Sequence, residues 1–258
     1  MKKNKIKGKF KISLSDILLV LAIIVIKGSF IDWYYIPSGS MQPTLKINDR
    51  VIVDMDAYDA KVPFTDITLM KKGEPERGDV IIFKEINSKQ IYIKRVIGLS
   101  GDTIKVDGHN TYINGLKVES EKIGESDQFT KYRQTIEGKS FIAQYDKKLD
   151  ILSTIISRVK SGLINPETPE VISLLEQRGM LRDGEWVVPE GSIFVMGDNR
   201  DHSQDSRFDS VSYISKSVVR GKADFVLANM EPLVVFDTQI PFIPASITDF
   251  NREIYSVE

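Results

Sequence analysis

Residues 103–118 are the part of the sequence that most restricts the fold. Three short runs of strand-forming residues are separated here by Asp107-Gly108 and Asn114-Gly115. Both dipeptides favour the tight turns of β-hairpins, because their residues tolerate positive φ. The sequence therefore predicts a compact antiparallel meander, a unit typical of mostly β proteins.

Similar short runs extend this prediction on both sides of the meander. They are rich in β-branched and aromatic residues, as buried strands are. The runs lie at 50–53, 80–83, 91–97, 186–188, 193–196 and 218–227. Pro189-Glu190-Gly191 lies between two of them and predicts a second hairpin. With 258 residues, 41% of them hydrophobic, the chain has enough apolar material for one large antiparallel β-sheet domain.

Residues 119–180 differ from the rest, because they are polar and charged. Two helices are predicted in this block, Lys148–Lys160 and Thr168–Gln177. The second would have Thr168 as its N-cap and Pro169 at its first helical position. We interpret the block as a smaller, partly helical insertion within the β domain, and its sequence predicts no role for it.

The N-terminal segment combines basic and apolar residues. Residues 1–11 contain six lysines and no acid, and an uninterrupted run of ten apolar residues begins at Ile17. From Leu14 to Ile36 the stretch is long enough to span a bilayer if Lys27 snorkels. A cleaved signal peptide and a buried helix are the alternatives, but no small-x-small cleavage site follows Ile26.

The charge asymmetry predicts how this segment is oriented. By the positive-inside rule, residues 1–13 form a cytoplasmic basic tail, residues 14–36 a single transmembrane anchor and residues 37–258 an extracytoplasmic domain. We therefore expect the chain in a cell (inner or plasma) membrane, with the lipid bilayer as a partner.

Two compositional facts exclude other classes of protein. Without the six N-terminal lysines the net charge of −1 becomes about −7, which disfavours a nucleic-acid-binding body. The chain has no cysteine, so disulfides and cysteine-based metal or nucleophile chemistry are excluded.

Pro37 to Leu45 place two serines, Ser38 and Ser40, on a turn rich in glycine and proline just after the apolar segment. Serines in such turns are usually structural. A nucleophilic hydroxyl needs an adjacent base, and the chain has only two histidines. His109 belongs to a turn tip and is expected to be solvated, and nothing singles out His202 as a base.

Lys94 is the alternative base. In the strand Tyr92-Ile93-Lys94-Arg95-Val96-Ile97 it shares a face with Tyr92 and Val96. Loss of solvation among apolar neighbours disfavours a charged amine and lowers its pKa. From a reference pKa of about 10.4, a fall to about 8 would raise the neutral fraction at pH 7 to roughly a tenth. An ordinary edge-strand lysine is the competing interpretation.

A third segment, Gly197 to Arg207, mixes acids, arginines and hydroxyls. Such a mixture suits an ion-pair and hydrogen-bond network that fixes a loop. A calcium loop is the alternative, but Arg200 or Ser206 interrupts each register of the EF-hand pattern. We therefore expect no metal site.

Together with Arg77 to Phe83, these segments resemble type I signal peptidases, the leader peptidase family of membrane-anchored proteases with a Ser-Lys dyad. The resemblance covers residues 14–107 and 184–227. It is carried by three motifs in the family's order, which are Pro-Ser-Gly-Ser-Met-Gln-Pro-Thr-Leu, Tyr-Ile-Lys-Arg-Val-Ile-Gly and Gly-Asp-Asn-Arg-Asp-His-Ser-Gln-Asp-Ser-Arg. One departure is Ser100, where many members have proline, and it affects a turn only.

The resemblance implies a role for each matched residue. Ser40 would be the nucleophile, Lys94 its general base, and Ser38 a donor to the oxyanion hole beside the Ser40 backbone N–H. Ser203 would bond to and orient the Lys94 amine. A supporting polar network would consist of Asp198, Arg200, Asp205 and Arg207. Shallow pockets for small side chains would be lined by Ile36, Met41, Tyr92 and Ile93.

The implied activity is removal of N-terminal signal peptides from exported preproteins after a small-x-small site. The resemblance implies no cofactor, preproteins as partners, and a monomer. Two alternatives stay open. A self-cleaving Ser-Lys regulator would need a DNA-binding or partner domain in place of the apolar segment. A non-catalytic binding protein on a decayed protease fold would be expected to have lost Ser40, Lys94 or Ser203, and all three are present.

Overall fold

The computed structural model describes residues 13–61, 67–85, 90–149, 184–235 and 238–255. One helix, α1 (Leu14–Ser29), precedes a body of strands. In chain order these are β1 (Ile31–Tyr35), β2 (Asp49–Asp54), β3 (Asp59–Lys61), β4 (Thr68–Lys71), β5 (Val80–Lys84), β6 (Ile91–Gly98), β7 (Thr103–Asp107), β8 (Asn110–Ile113), β9 (Leu116–Lys117), β10 (Glu119–Glu125), β11 (Phe129–Ile136), β12 (Lys139–Asp146), β13 (Gly184–Val187), β14 (Ser192–Met196), β15 (Ile214–Ser215), β16 (Val219–Val235), β17 (Thr238–Thr248) and β18 (Arg252–Glu253). A short 3₁₀ helix, Lys216–Val218, precedes β16.

The largest sheet is antiparallel and has nine strands. Seven follow the order β1-β2-β16-β5-β6-β14-β15, while β17 and β18 both pair with β16. Strands β5 and β6 lie side by side with Ile81 opposite Lys94. Val80 to Phe83 of β5 are all buried, as expected for a run without polar residues. The predicted mostly β, antiparallel fold class is confirmed.

The central meander forms a second antiparallel sheet in the order β13-β7-β8-β9. Its turns have the expected backbone, with φ of 57° at Gly108, 51° at Asn114 and 79° at Gly115. The predicted hairpin around Pro189 to Gly191 is wrong. β13 pairs with β7 and β14 pairs with β6, so the chain passes from one sheet to another at this turn.

Residues 119–146, in the polar block for which helices were predicted only from Lys148 onward, form a three-stranded antiparallel sheet, β10-β11-β12. Its second turn, Glu137-Gly138, has φ of 49° and 80°, which suits a two-residue hairpin. The inner face is apolar and includes Ile136, Phe141 and Tyr145. Residues 147–149 are helical, but the rest of helix Lys148–Lys160 and all of helix Thr168–Gln177 lie outside the described residues.

The apolar N-terminal stretch is not one continuous helix. Helix α1 ends at Ser29, and Ile31 to Tyr35 pair with β2 across the register Ile31–Asp54 to Tyr35–Arg50. The predicted helix from residue 14 to residue 36 is therefore too long at its C-terminal end, because backbone pairing with β2 takes up its aromatic part. Among the residues described, no helix combines the length and apolarity needed to cross a membrane.

Three apolar clusters hold the sheets together. The first joins the meander to β11, β12 and β14, and the third packs β5, β6, β14 and β16 around Phe83 and Val195. The second contains Ile36, Met41 and Leu45 with residues of β2, β5 and β16. It is the cluster that positions the site, because it anchors the loop between β1 and β2.

Candidate active site

The turn that carries Ser40 is held from below by apolar side chains. Met41 and Leu45 are completely buried in the second cluster, whereas Ser38 is exposed and Ser40 half-buried. Backbone bonds from Gln42 N to Gly39 O (3.1 Å) and from Leu45 N to Met41 O (2.9 Å) close the turn. The serine hydroxyls are therefore presented at the surface by a loop whose other side lies in the core.

Lys94 approaches this turn from β6. Its Nζ donates to Ser40 Oγ at 2.8 Å and to the Ile93 carbonyl at 3.0 Å. Nζ also lies 5.6 Å from the centre of the Tyr92 ring, consistent with the predicted shared strand face. The structure thus brings together the two residues proposed from the sequence as nucleophile and base, which are 54 positions apart.

The environment of Lys94 favours a neutral amine. Burial lowers the pKa of Lys94 to about 8, with the Arg207 charge acting in the same direction and Asp205 and Asp198 opposing it. Only 3% of Lys94 is exposed. With a pKa near 8, roughly a tenth of the amines are neutral at pH 7. A neutral Nζ accepts a proton through the same contact by which it otherwise donates to Ser40.

Ser38 and Ser40 are neighbours across the turn, with their hydroxyl oxygens 3.5 Å apart. Because Ser38 is exposed, its hydroxyl is accessible from the side on which Ser40 faces solvent. The structure therefore brings both predicted members of the oxyanion hole to one surface, and the role of Ser38 stays a prediction.

The loop from Gly197 to Arg207 binds the back of the Ser40 turn. Asn199 N donates to Ser40 O at 3.1 Å, and Asn199 Nδ2 donates to Gly39 O at 2.9 Å. A Cβ on Gly197 would lie 2.5 Å from Ser40 O, so glycine is required for this close approach. Asn199 was part of the motif but was not among the predicted site residues.

Asp198 is the central acceptor of this region. Arg95 donates to it through Nε (2.8 Å) and Nη2 (2.7 Å), and both side chains are buried. Thr44 Oγ1 donates to Asp198 Oδ2 at 2.5 Å. Arg95 and Thr44 were missed as site residues, although both adjoin the dyad in motifs already recognised, Arg95 directly after Lys94.

Asp205 and Arg207 form a second buried ion pair. Arg207 Nε and Nη2 bond to the two carboxylate oxygens at 2.8 and 2.9 Å, and Gly197 N donates to Asp205 Oδ2 at 2.9 Å. Burial alone would raise the pKa of Asp205, but Arg207 and these donors outweigh it and lower the pKa. The structure brings the two predicted residues together in one buried pair, and their supporting role stays a prediction.

Arg200 belongs to the same network. It is buried, and its guanidinium donates to Tyr145 Oη at 3.1 Å and to Gln134 Oε1 at 2.5 Å. These acceptors lie on β12 and β11. Arg200 therefore ties the loop to the three-stranded sheet rather than to the dyad.

One predicted contact, between Ser203 and the Lys94 amine, is not made. Ser203 Oγ is buried and does not bond to the Lys94 amine, which donates instead to Ser40 and Ile93. The reason is that Ser203 packs against Gly197, where it would lie 2.2 Å from an added Cβ. There it lies near Asp205, whose pKa it helps to lower.

The dyad opens into a cleft of about 580 Å³. Of the predicted pocket residues, Ile36, Tyr92 and Ile93 line it, together with Ser38, Ser40 and Lys94. Met41 does not line it, because it is completely buried beneath the turn. Tyr34 and Ile82 also line the cleft and were not predicted. Tyr34 lies on β1, which pairs with β2, and Ile82 lies on β5, which pairs with β6. The sequence alone did not show these pairings.

The two histidines also differ from expectation. His109 is not simply solvated, because its ring packs 4.5 Å from the Tyr145 ring and Nδ1 lies 3.2 Å from Tyr132 Oη. His202 lines the cleft and its Nε2 lies 3.0 Å from Asp146 Oδ2. In the described structure neither is hydrogen-bonded to the Ser40 hydroxyl, whose partners are Ser38 and Lys94. In the part of the chain that the structure describes, no group of acids and histidines forms a possible metal site.

The serine and the buried lysine lie in an open cleft of a mostly antiparallel β domain. This arrangement is consistent with a hydrolase, and comparison with known proteins indicates which family of hydrolases. The profile of the family described as "Signal peptidase, peptidase S26" matches residues 10–228. A signal peptidase I of Buchnera aphidicola (subsp. Acyrthosiphon pisum) is 33% identical in an alignment of 228 positions that covers 81% of this chain and 72% of that protein.

Two further proteins that match the chain are signal peptidases I. A signal peptidase I of Pseudomonas aeruginosa is 32% identical over 74% of this chain, and the match spans 59% of that longer protein. A crystal structure of a signal peptidase I from Enterococcus faecalis V583 is 24% identical, with a TM-score of 0.31, over 59% of this chain and 97% of that one. Because the family model matches most of the chain and the sequence relatives are more than 30% identical, the chain belongs to the signal peptidase family, peptidase S26. It is a peptidase.

Proposed function

We propose that this protein removes N-terminal signal peptides from exported preproteins, with Ser40 as nucleophile and Lys94 as general base. The observation that carries the proposal is the 2.8 Å contact between Ser40 Oγ and a lysine amine whose pKa is lowered to about 8. The similarity to signal peptidases of the S26 family supports the substrate class.

The first half of the reaction is acylation. Neutral Lys94 takes the proton of Ser40 as Oγ attacks the carbonyl carbon of the scissile peptide bond. The Ser40 N–H and the Ser38 hydroxyl would donate to the oxygen that becomes negative in the tetrahedral intermediate. The Lys94 ammonium then gives its proton to the departing amine, which releases the mature protein and leaves the signal peptide esterified to Ser40.

The second half is deacylation by water. Lys94, neutral again, removes a proton from a water molecule as this attacks the ester carbonyl, and it returns the proton to Ser40 Oγ. The apolar cleft lining of Ile36, Ile82, Tyr92 and Ile93 suits small uncharged side chains. We therefore propose cleavage after a small-x-small sequence.

We further propose that the chain works at a membrane as a monomer, with its N-terminus in the cytoplasm and the cleft outside. The lysine-rich N-terminus and the apolar residues from Leu14 onward support this orientation. Five of these residues, Ile17 to Leu21, are about half exposed or more in α1. An exposed apolar helix next to the β body is consistent with contact between that helix and lipid.

The test is cleavage of a purified preprotein by wild type, Ser40→Ala and Lys94→Met. Both variants are expected to lose at least about 10³-fold in kcat, because each removes a group of one covalent catalytic unit. Matched controls are Ser217→Ala, which removes an exposed hydroxyl, and Lys105→Met, which removes an exposed amine. Near-normal cleavage by either dyad variant contradicts the mechanism, and absence of cleavage by the wild type contradicts the function.

A further inference from the structure

The peptide unit between Gly39 and Ser40 carries the backbone N–H that donates to the oxyanion in the proposed mechanism. Its carbonyl, Gly39 O, accepts two hydrogen bonds, one from Gln42 N at 3.1 Å and one from Asn199 Nδ2 at 2.9 Å. A trans peptide group is planar, and its N–H points away from its C=O. Donors that fix the Gly39 carbonyl therefore also fix the direction of the Ser40 N–H.

The Ser40 N–H is itself available to a substrate. Gln42 N and Leu45 N donate to carbonyls of the turn, whereas among the described residues the Ser40 N–H donates to no protein group. Ser40 is half-buried and lines the cleft. The peptide unit is thus anchored at its carbonyl end and open at its N–H end, as an oxyanion donor must be.

The two donors to Gly39 O differ in what they are attached to. Gln42 belongs to the same turn, so its bond shapes the turn but does not hold it to the rest of the protein. Asn199 belongs to the loop behind the turn, and its backbone N–H adds a bond to Ser40 O at 3.1 Å. The Asn199 side chain therefore orients the Gly39–Ser40 peptide unit relative to the body of the domain.

The backbone of Asn199 is held in place by β12. Gln144 N donates to Asp198 O at 2.9 Å, and Gln144 O accepts from Arg200 N at 3.0 Å. One residue of β12 thus binds both chain neighbours of Asn199, which is only 3% exposed. Because these bonds join backbone groups, they should persist when the Asn199 side chain is replaced.

The chemistry of the contact determines the orientation of the Asn199 amide. A carbonyl oxygen accepts but cannot donate, so the NH₂ group must face Gly39 O. The amide oxygen Oδ1 is buried and accepts no bond from the described residues. A side chain with one hydrogen bond made and one buried acceptor unmet adds little net stability. Replacing Asn199 should therefore affect the turn more than the fold.

We propose that Asn199 is a positioning residue for the oxyanion hole, which orients and polarises the Ser40 N–H through the Gly39 carbonyl. The inference rests on the proposed function and adds to it a residue that does not line the cleft. A hydrogen bond at the carbonyl end of a peptide group strengthens donation by its N–H, since hydrogen bonds in a chain reinforce one another. The benefit falls on the negative oxygen of the tetrahedral intermediate, so Asn199 should raise kcat rather than tighten substrate binding.

Two variants remove the donor in different ways. Asn199→Leu places methyl groups where the amide oxygen and nitrogen were, and Asn199→Ala removes the amide altogether. Each should lower kcat for preprotein cleavage about tenfold with KM unchanged, less than the roughly 10²–10³-fold typical of deleting an oxyanion donor, because the Ser40 N–H remains. Asn110→Ala, on β8 and outside the cleft, is the matched control and should cleave like the parent protein.

A binding measurement separates the oxyanion hole from the rest of the cleft. The probes are a signal-sequence peptide aldehyde and the alcohol of the same sequence. Ser40 Oγ adds to the aldehyde carbon, its proton passes to Lys94, and the carbonyl electron pair moves onto the oxygen in the hole. The alcohol binds without this step. Both Asn199 variants should weaken aldehyde binding about tenfold and alcohol binding less than about twofold.

Three results overturn the role of Asn199. The first is a parental kcat in both variants, and the second is an equal loss of affinity for aldehyde and alcohol, as general distortion of the cleft would cause. The third is loss of folding in both variants, measured by urea unfolding, because it would show that the side chain is structural. If only Asn199→Leu fails to fold, Asn199→Ala decides.

Wild-type cleavage of the preprotein is measured in parallel. If the wild type does not cleave it, the proposed function fails. Cleavage by the wild type together with unaltered aldehyde binding in the variants contradicts the positioning role alone.

Discussion

Thr44 Oγ1 donates a 2.5 Å hydrogen bond to Asp198 Oδ2, across 154 positions of sequence. The same carboxylate accepts two bonds from Arg95, the residue next to Lys94 on β6. One buried acid therefore joins the turn that carries Ser40, the strand that carries Lys94 and the loop behind both. The junction thus connects the two segments whose dyad atoms lie 2.8 Å apart.

Removing the arginine of this junction is expected to destabilise the fold strongly. Arg95→Met leaves the Asp198 carboxylate buried without its cation, which costs about 3–5 kcal/mol. The double variant Arg95→Met/Asp198→Asn removes both charges and should recover part of that loss. Urea unfolding measures the free energies. Arg133→Met is the control, because its pair with Glu121 is exposed and 3.3 Å long, and should cost less than about 1 kcal/mol. Equal costs for Arg95→Met and Arg133→Met would refute the role of the junction.

The rate of peptide cleavage is expected to rise with pH. Burial lowers the pKa of Lys94 to about 8, and the neutral amine is the active form. Log kcat/KM should therefore increase with a slope near one below pH 8 and level off above it, since kcat/KM reports groups of the free enzyme. A pH profile of kcat/KM checks this. A midpoint near the ordinary lysine value, about 10.4, would show that burial does not activate the amine.

The burial of Lys94 is also expected to lower the free energy of unfolding. Replacing Lys94 by an apolar residue should therefore stabilise the folded protein. The fall from 10.5 to about 8 is about 2.5 units, equivalent to about 3 kcal/mol against folding at neutral pH. Lys94→Met removes this cost and keeps the aliphatic volume, so it should unfold at a higher urea concentration at pH 7.

The sign of the pH dependence follows from the direction of the shift. Below pH 8 both folded and unfolded chains hold the Lys94 proton and the full cost is present. Between pH 8 and about 10.5 only the unfolded chain holds the Lys94 proton. The free energy of unfolding of the wild type should therefore rise relative to that of Lys94→Met as the pH rises. A stability difference that does not change with pH would show that Lys94 is not the cause.

The sequence was most informative about features that depend on residues close together in the chain. Asp107-Gly108 and Asn114-Gly115 predicted turns that the structure confirms, and alternation along β6 placed Lys94 on the face of Tyr92. Contacts between distant segments were not predictable. Met41 is buried because the turn folds back onto β2 and β16, and Ser203 turns towards Gly197 rather than Lys94. No strands were predicted for residues 119–146, because a sheet with one polar face lacks the uninterrupted apolar runs of a fully buried strand.

Close packing behind the nucleophile is expected to make Gly197 irreplaceable. An added Cβ would lie 2.2 Å from Ser203 Oγ and 2.5 Å from the Ser40 carbonyl oxygen. Gly197→Ala must therefore move the Ser40 backbone, with a loss of about 1–3 kcal/mol in stability and a loss of cleavage. Gly124→Ala is the matched control, because its Cβ would meet nothing within 4 Å. It should change stability by less than about 0.5 kcal/mol.

A second substitution separates the two contacts of Gly197. Gly197→Ala/Ser203→Gly removes the nearer contact with the serine side chain but leaves the one with the Ser40 carbonyl. Backbone cannot rotate away as a side chain can, so stability should recover in part while kcat stays low. Urea unfolding and preprotein cleavage measure the two effects on the same samples. Full recovery of cleavage would show that Ser203, and not the Ser40 backbone, is what requires glycine at this position.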